Sequence, residues 1–284
     1  MRPPVEGIAG VRQRVARARA EGRSIALVPT MGALHAGHGA LIDRARAECG
    51  FVAVSVFVNP TQFDRKDDYD RYPRTIEADL DFCGARGVDV VFAPEPVEMY
   101  PEPQRTYIEV AEVSERLCGE FRPGHFRGVA TVVAKLFNIV APDVAYFGEK
   151  DAQQLAVIQT MVRDLNMTVE IRPVPTVREA DGLALSSRNQ RLSAEERRVA
   201  PVLYKGLQAA AERVRAGGNS AEARCAALDL IAREPLVRVE YLEVVDPRSM
   251  LPVERPAGPV RIAVAAWLGT TRLIDNVYCE PASV

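Results

Sequence analysis

The chain of 284 residues has no Cys-x-x-Cys pair and no Gly-x-x-x-x-Gly-Lys-Ser/Thr loop. The first absence argues against a thioredoxin-like or zinc-ribbon protein, the second against a P-loop kinase or ATPase. Cysteine is sparse and scattered: Cys49, Cys83, Cys118, Cys225 and Cys279 are odd in number and widely spaced. A disulfide framework is therefore not expected, and reduced thiols in a cytoplasm fit best. No apolar run approaches the ~20 residues that a membrane-spanning helix needs. The first ten residues lack the apolar centre of a secretory signal. Arg12, Arg14, Arg17 and Arg19 follow them and read as a solvated helix face, with a transit peptide as the alternative. Charge of one sign is also missing. Lys and Arg number 36 against 38 Asp and Glu, a formal net charge of -2, so neither a nucleic acid nor a membrane surface is an expected partner. There is no internal repeat and no low-complexity stretch.

What is present is a folding composition. Hydrophobic residues make up 48% and charged residues 26%, which supports a buried core in one large or two modest domains. Apolar runs at 25–28, 51–58, 88–92, 144–147 and 167–171 read as strands. Helical patterns lie at 11–20, 38–48, 75–86, 128–140 and 151–165. In the fourth of these, Val129, Val132, Val133, Leu136 and Val140 form one stripe at helical spacing. Such alternation predicts a parallel sheet covered on both faces, with ligands beyond the carboxyl ends of its strands. Pro173-Val174-Pro175 reads as a boundary, giving domains at 1–175 and 176–284. The second part reads as α+β: a helix over 194–217 capped by Ser193, a helix over 220–233, then strands at 237–245, 260–266 and 272–279.

Two of only three histidines stand together, in Pro29-Thr30-Met31-Gly32-Ala33-Leu34-His35-Ala36-Gly37-His38. This segment joins the first apolar strand to a helix. A helix start offers unpaired N–H groups and the positive end of its dipole, a natural place for phosphate. Imidazoles there can donate to a phosphate whose charge is changing, so the segment predicts chemistry on a nucleotide α-phosphate. The spacing does not match the His-x-x-x-His of a zinc protease helix.

Other polar segments also follow strands. Asn59-Pro60-Thr61-Gln62-Phe63 offers two amides suited to a small polar substrate, or is simply a turn. Asp67-Asp68-Tyr69-Asp70 reads as a solvated acidic loop before it reads as a metal site. Arg122-Pro123-Gly124-His125-Phe126-Arg127 could grip an anion or a neighbouring loop. Phe147-Gly148-Glu149-Lys150-Asp151 places a lysine where it can reach phosphate oxygens, though a capped helix with exposed charges has the same look. Leu185-Ser186-Ser187-Arg188-Asn189 could hold the outer phosphates of a triphosphate, or be an ordinary hydrophilic loop.

Taken together, the segments 29–38, 56–63, 70–75, 122–129, 147–154 and 185–189 closely resemble the pantothenate synthetase (pantoate–β-alanine ligase) family. They occur in the family's order across most of residues 25–190. The resemblance implies a Rossmann-like doubly wound nucleotidyltransferase domain, a smaller C-terminal domain that moves over the site, and a homodimer. It implies the joining of pantoate to β-alanine with ATP and Mg²⁺, through pantoyl adenylate, releasing AMP and pyrophosphate. By the same resemblance His35 and His38 stabilise the charge on the α-phosphate, with His38 the proton donor. Lys150, Ser186, Ser187 and Arg188 would hold the phosphates. Pro29, Met31, Gly32, Gly148, Asp151, Val177 and Leu185 would line the nucleotide pocket. Gln62 and Gln154 would bind pantoate, with Met31 packing nearby and Asn59 in support. Asp79 is the candidate magnesium ligand, the metal being held mainly by ATP oxygens. Three residues depart from the family pattern: Ala36 where an acidic residue is frequent, Gly39 where leucine is usual, and Asp64 where glycine is common. The competing readings are a related nucleotidyltransferase acting on a phosphorylated alcohol, and a non-catalytic nucleotide-binding protein. The amides of Gln62 and Gln154 suit a carboxylate with hydroxyls, whereas a phosphorylated acceptor would call for more Arg or Lys.

Overall fold

Six parallel strands form the first sheet: β1 (Val5–Glu6), β2 (Ile25–Thr30), β3 (Phe51–Val56), β4 (Val90–Phe92), β5 (Val144–Gly148) and β6 (Glu170–Val174). The computed structural model describes residues 1–281. Strand order is β1-β4-β3-β2-β5-β6, so the chain builds outward from β2 on one side and then returns to its other side with β5. That reversal opens a crevice beyond the carboxyl ends of β2 and β5. Residues 25–28 and 51–54 are buried without a break because both sheet faces are covered. Ile25 and Leu27 pack into one apolar core, Ala26 and Val28 into the other, following the two-residue period of a strand.

The helices of this part are α1 (Ile8–Ala20), α2 (Ala36–Glu48), α3 (Lys66–Asp70), α4 (Ile76–Gly84), α5 (Pro96–Met99), α6 (Cys118–Phe121), α7 (His125–Val140) and α8 (Ala152–Asp164). Helices α1, α7 and α8 bury their stripes on one face of the sheet, α2 and α4 on the other. The anticipated strand at 167–171 lies later, at Glu170–Val174, and includes Pro173. Proline is tolerated there because β6 is an edge strand and its missing N–H costs no ladder bond on the open side.

Beyond β6 come α9 (Ala194–Val199), α10 (Val202–Arg215), α11 (Ser220–Ile231) and the antiparallel strands β7 (Val237–Val245), β8 (Val260–Leu268) and β9 (Thr271–Cys279). The single helix expected over 194–217 is two helices. Pro201 has no N–H to give and its ring crowds the preceding turn, so the chain bends at Ala200–Pro201. Ser193 caps α9 as expected, its hydroxyl accepting from the Glu196 N–H while Glu196 reaches back to the Ser193 N–H. Helices α10 and α11 share an apolar core with the three strands. Val245 and Met250 instead join the core of the first sheet, so the two parts are packed on each other.

Candidate active site

The turn after β2 is tightly specified. Gly32 and Ala33 both have positive φ, 81° and 52°, and the second is unusual for a residue with a Cβ. Asp79, from the first turn of α4, holds this strained turn. Its carboxylate accepts the N–H of Ala33 at 3.1 Å and of Leu34 at 2.8 Å. It is 2% exposed and does not line the cleft. Asp79 is thus corrected from magnesium ligand to loop anchor, because its oxygens are spent on backbone donors. Gly32 does not line the cleft, and an added Cβ there would meet Asp79 and Val56 at 3.0 Å.

Helix α2 then starts on the histidines themselves. His35 is its N-cap, with Nδ1 accepting from the Gly37 N–H at 3.1 Å. His38 Nδ1 accepts from the His35 N–H at 3.3 Å. Each Nδ1 is therefore an acceptor, which places the single proton of each neutral ring on Nε2. The rings lie 4.2 Å apart between centroids and both line the cleft. Burial pushes the His38 imidazole down to about 3, helped by the neighbouring His35. His35 is lowered too, by burial and then by Lys150. Two neutral Nε2–H donors result, each able to give a hydrogen bond in the cleft.

Across the crevice, the chain leaving β5 makes one 3₁₀ turn, Glu149–Asp151, before α8. Lys150, Asp151 and Gln154 line the cleft from here. Gln153 does too, but its amide is committed. It accepts the Cys118 N–H and donates to the carbonyls of Val113 and Arg116, pinning the segment before α6. From the second part come Val177, Leu185, Ser186, Ser187 and Arg188. The Ser186 hydroxyl accepts from the Arg188 N–H, and Asp68 faces Arg188 at 3.5 Å and Arg191 at 2.8 Å. The acidic segment, expected as a loop, is the short helix α3, and its Asp68 pairs with basic side chains. Among the described residues no three His, Cys, Asp or Glu side chains form a metal cage.

The third wall follows β3. Asn59 is 1% exposed and its amide is fully used. Its Nδ2 donates to Gln62 Oε1 and to the Gly128 carbonyl, and its Oδ1 accepts from Thr61 and the Tyr100 hydroxyl. Asn59 thus orients Gln62 and has little left for a ligand. Arg122 and His125 act on the same residue. His125 Nδ1 donates to the Gln62 carbonyl at 2.8 Å, leaving Nε2 to accept from Arg122 Nη1 at 3.2 Å. Arg127 stays outside, over the Tyr107 ring. In the sequence, the one signal for Arg122 and His125 is their position at the start of α7. Pro29, Met31 and Gly148 complete the cleft, whose volume is about 260 Å³, and Val129, Val132, Val133 and Leu136 give it an apolar side.

Of the three departures, two have visible partners. The space beside Gly39 is taken by the Arg86 guanidinium, which stacks 3.7 Å over Phe82. Asp64 pairs with Arg122 at 3.2 Å. Nothing in the structure explains Ala36.

A family model described as pantoate-beta-alanine ligase matches residues 4–278. The chain belongs to the pantoate–β-alanine ligase family. It is 52% identical over 270 residues to the pantothenate synthetase of Pelotomaculum thermopropionicum, covering 95% of this chain and 96% of that one. The crystal structure of a pantothenate synthetase from Thermus thermophilus superimposes with a TM-score of 0.92 at 48% identity, over 96% of this chain and 98% of that one. A pantoate–β-alanine ligase from Francisella tularensis, solved with β-γ ATP and β-alanine, gives a TM-score of 0.81 at 34% identity, over 97% of both chains. Membership in this ligase family disfavours both competing readings, the related nucleotidyltransferase and the non-catalytic binder.

Proposed function

We propose that the protein condenses pantoate with β-alanine at the expense of ATP, through an acyl adenylate made in this cleft. The observation that carries the reading is the pair of neutral Nε2–H donors at the start of α2, opposite Lys150 and beside Gln62 and Gln154.

In the first step a pantoate carboxylate oxygen bonds to the α-phosphorus, and the bond from that phosphorus to the bridging oxygen breaks. The electron pair leaves with pyrophosphate. Charge grows on the α-phosphate and on the leaving group, where His35, His38, Lys150, Ser186, Ser187 and Arg188 would donate. One placed donor to developing charge is worth ~3 kcal/mol, or about 10²–10³ in rate. Gln62 and Gln154 hold pantoate by its polar groups while the valine-rich side takes its methyl groups. In the second step the neutral amine of β-alanine attacks the acyl carbon, the bond to AMP breaks, and the amine proton leaves to solvent. Covering the adenylate against water gives the C-terminal part its task.

Mg²⁺ would arrive with ATP and neutralise phosphate charge. The cleft carboxylates suit that mode: Asp275 is tied to Arg178 at 2.6 Å, while the half-exposed Asp151, 3.8 Å from the Lys150 ammonium, is the side chain that would face such an ion. The reading includes a homodimer, which sedimentation equilibrium tests, and a cytoplasmic setting, supported by five free thiols. No helix among the described residues is long and apolar enough to cross a membrane.

The test is AMP release from ATP and Mg²⁺. Steady release is expected only with both pantoate and β-alanine. His38→Asn keeps an oxygen that can accept the His35 N–H but has no Nε2–H, and should lose about 10²–10³ in rate while staying folded. AMP release that ignores either acid substrate would overturn the proposal.

A further inference from the structure

Lys150 stands on a single 3₁₀ turn, a support with poor hydrogen-bond geometry, and its side chain is long and flexible. The contact that fixes this turn comes from the other sheet. Asn276, on β9, donates through Nδ2 to the carbonyl oxygens of both Glu149 and Lys150, each at 2.9 Å. An asparagine amide has two hydrogens, and both are used here.

The amide is itself held in register. Arg261 on β8 donates to Asn276 Oδ1 at 2.5 Å and lies 3.7 Å from the Glu149 carboxylate. Asp275 accepts the Asn276 N–H at 2.7 Å and takes a two-point contact from Arg178, at 2.6 and 2.9 Å. Arg261, Asp275 and Asn276 are 8%, 5% and 5% exposed. Buried and mutually bonded, the group has one orientation available.

We propose that Asn276 is a positioning residue for Lys150, through which the C-terminal sheet sets the point from which the ammonium reaches the triphosphate. The inference rests on the assignment of Lys150 to the phosphates. It adds that any shift of the C-terminal sheet must break two hydrogen bonds or carry the Lys150 turn along.

A double-mutant cycle over Asn276→Ala and Lys150→Ala tests it, read by pyrophosphate release in a single turnover with pantoate and by ATP affinity in calorimetry. Asn276→Ala alone should slow adenylation about 10- to 100-fold, the scale of a misplaced group. It should weaken ATP and leave pantoate affinity unchanged. In the Lys150→Ala background the same change should cost less than about 2-fold, because the group it positions is gone. Equal losses with and without Lys150 would show that Asn276 serves only the fold, and would overturn the proposal. So would unchanged adenylation in the single variant. If Asn276→Ala does not fold, Asn276→Ser replaces it, a short uncharged side chain with a single hydrogen to donate in place of two, with the same outcomes. Wild-type protein that binds ATP but releases no pyrophosphate would defeat the ligase reading instead, and the calorimetric cycle would still decide on Asn276.

Discussion

Asn59 donates from Nδ2 to Gln62 Oε1 across 3.1 Å, and this contact decides which end of the Gln62 amide is free. Asn59 cannot flip, because its other partners are backbone groups of fixed sign: the Thr61 N–H gives to its oxygen and the Gly128 carbonyl takes from its nitrogen. The Gln62 nitrogen is left to donate, with Met31 Sδ as its weak partner at 3.1 Å. A carboxylate substrate needs that donor.

Asn59→Asp removes both donors and sets a carboxylate against two oxygens. We expect the KM for pantoate to rise about 10- to 100-fold, the cost of one or two unmet buried hydrogen bonds, with the KM for ATP unchanged. Steady-state kinetics with each substrate varied in turn checks it. An equal rise in both constants would contradict this role.

Gly128 brings α7 against the loop that carries Gln62. An added Cβ would fall 2.3 Å from the Thr61 carbonyl oxygen and 2.8 Å from the Gln62 Cα, both backbone atoms that cannot swing away. Gly128→Ala should destabilise the fold by about 1–3 kcal/mol and weaken pantoate binding, despite alanine's better helix propensity. Urea unfolding and pantoate calorimetry read the two effects.

Asp79 gives a way to separate loop anchor from metal ligand. Asp79→Asn keeps the shape, but its side-chain nitrogen must face one backbone N–H. Stability should fall by about 1–3 kcal/mol and adenylation should slow, while the Mg²⁺ concentration giving half-maximal rate stays unchanged. A shifted magnesium requirement in a variant of unaltered stability would restore the metal role.

The histidines predict an acid-sensitive fold. Burial, aided by His35 and by Arg122 respectively, pushes His38 and His125 down from 6.5 to about 3. Between those values the unfolded chain holds protons that the folded chain refuses. Stability therefore falls as the pH drops from 6.5 toward 3, by at most about 1.4 kcal/mol per pH unit for each histidine. Urea midpoints at pH 7, 6 and 5 should decline, and His125→Gln should remove one histidine's share of the slope. A flat profile would contradict the burial of these rings.

The parallel sheet was legible because both faces are covered, which leaves long apolar runs such as residues 25–28 and 51–54. The cleft was legible because His35, Gln62 and Lys150 each follow a strand whose carboxyl end points the same way. What escaped depends on contacts between distant segments. The Asp79 carboxylate looks like any acid in a first helical turn until α4 is laid beside the β2 turn. Gln153 and Gln154 are neighbours in one motif, yet only the fold shows that the Gln153 amide is spent on residues 113–118. Val5–Glu6 is too short to show a period. Two signals do stand in the sequence: Pro201 inside a helical pattern, and the polar pair Asp275-Asn276 inside an apolar strand.

The most direct test of the central claim follows one oxygen atom. Pantoate labelled with ¹⁸O at both carboxylate oxygens is turned over with ATP and β-alanine, and the AMP is weighed by mass spectrometry. If the carboxylate attacks the α-phosphate, the oxygen bridging carbon and phosphorus leaves with AMP, and each AMP gains one ¹⁸O. Unlabelled AMP, or label carried off in inorganic phosphate, would mean that no acyl adenylate forms in this cleft.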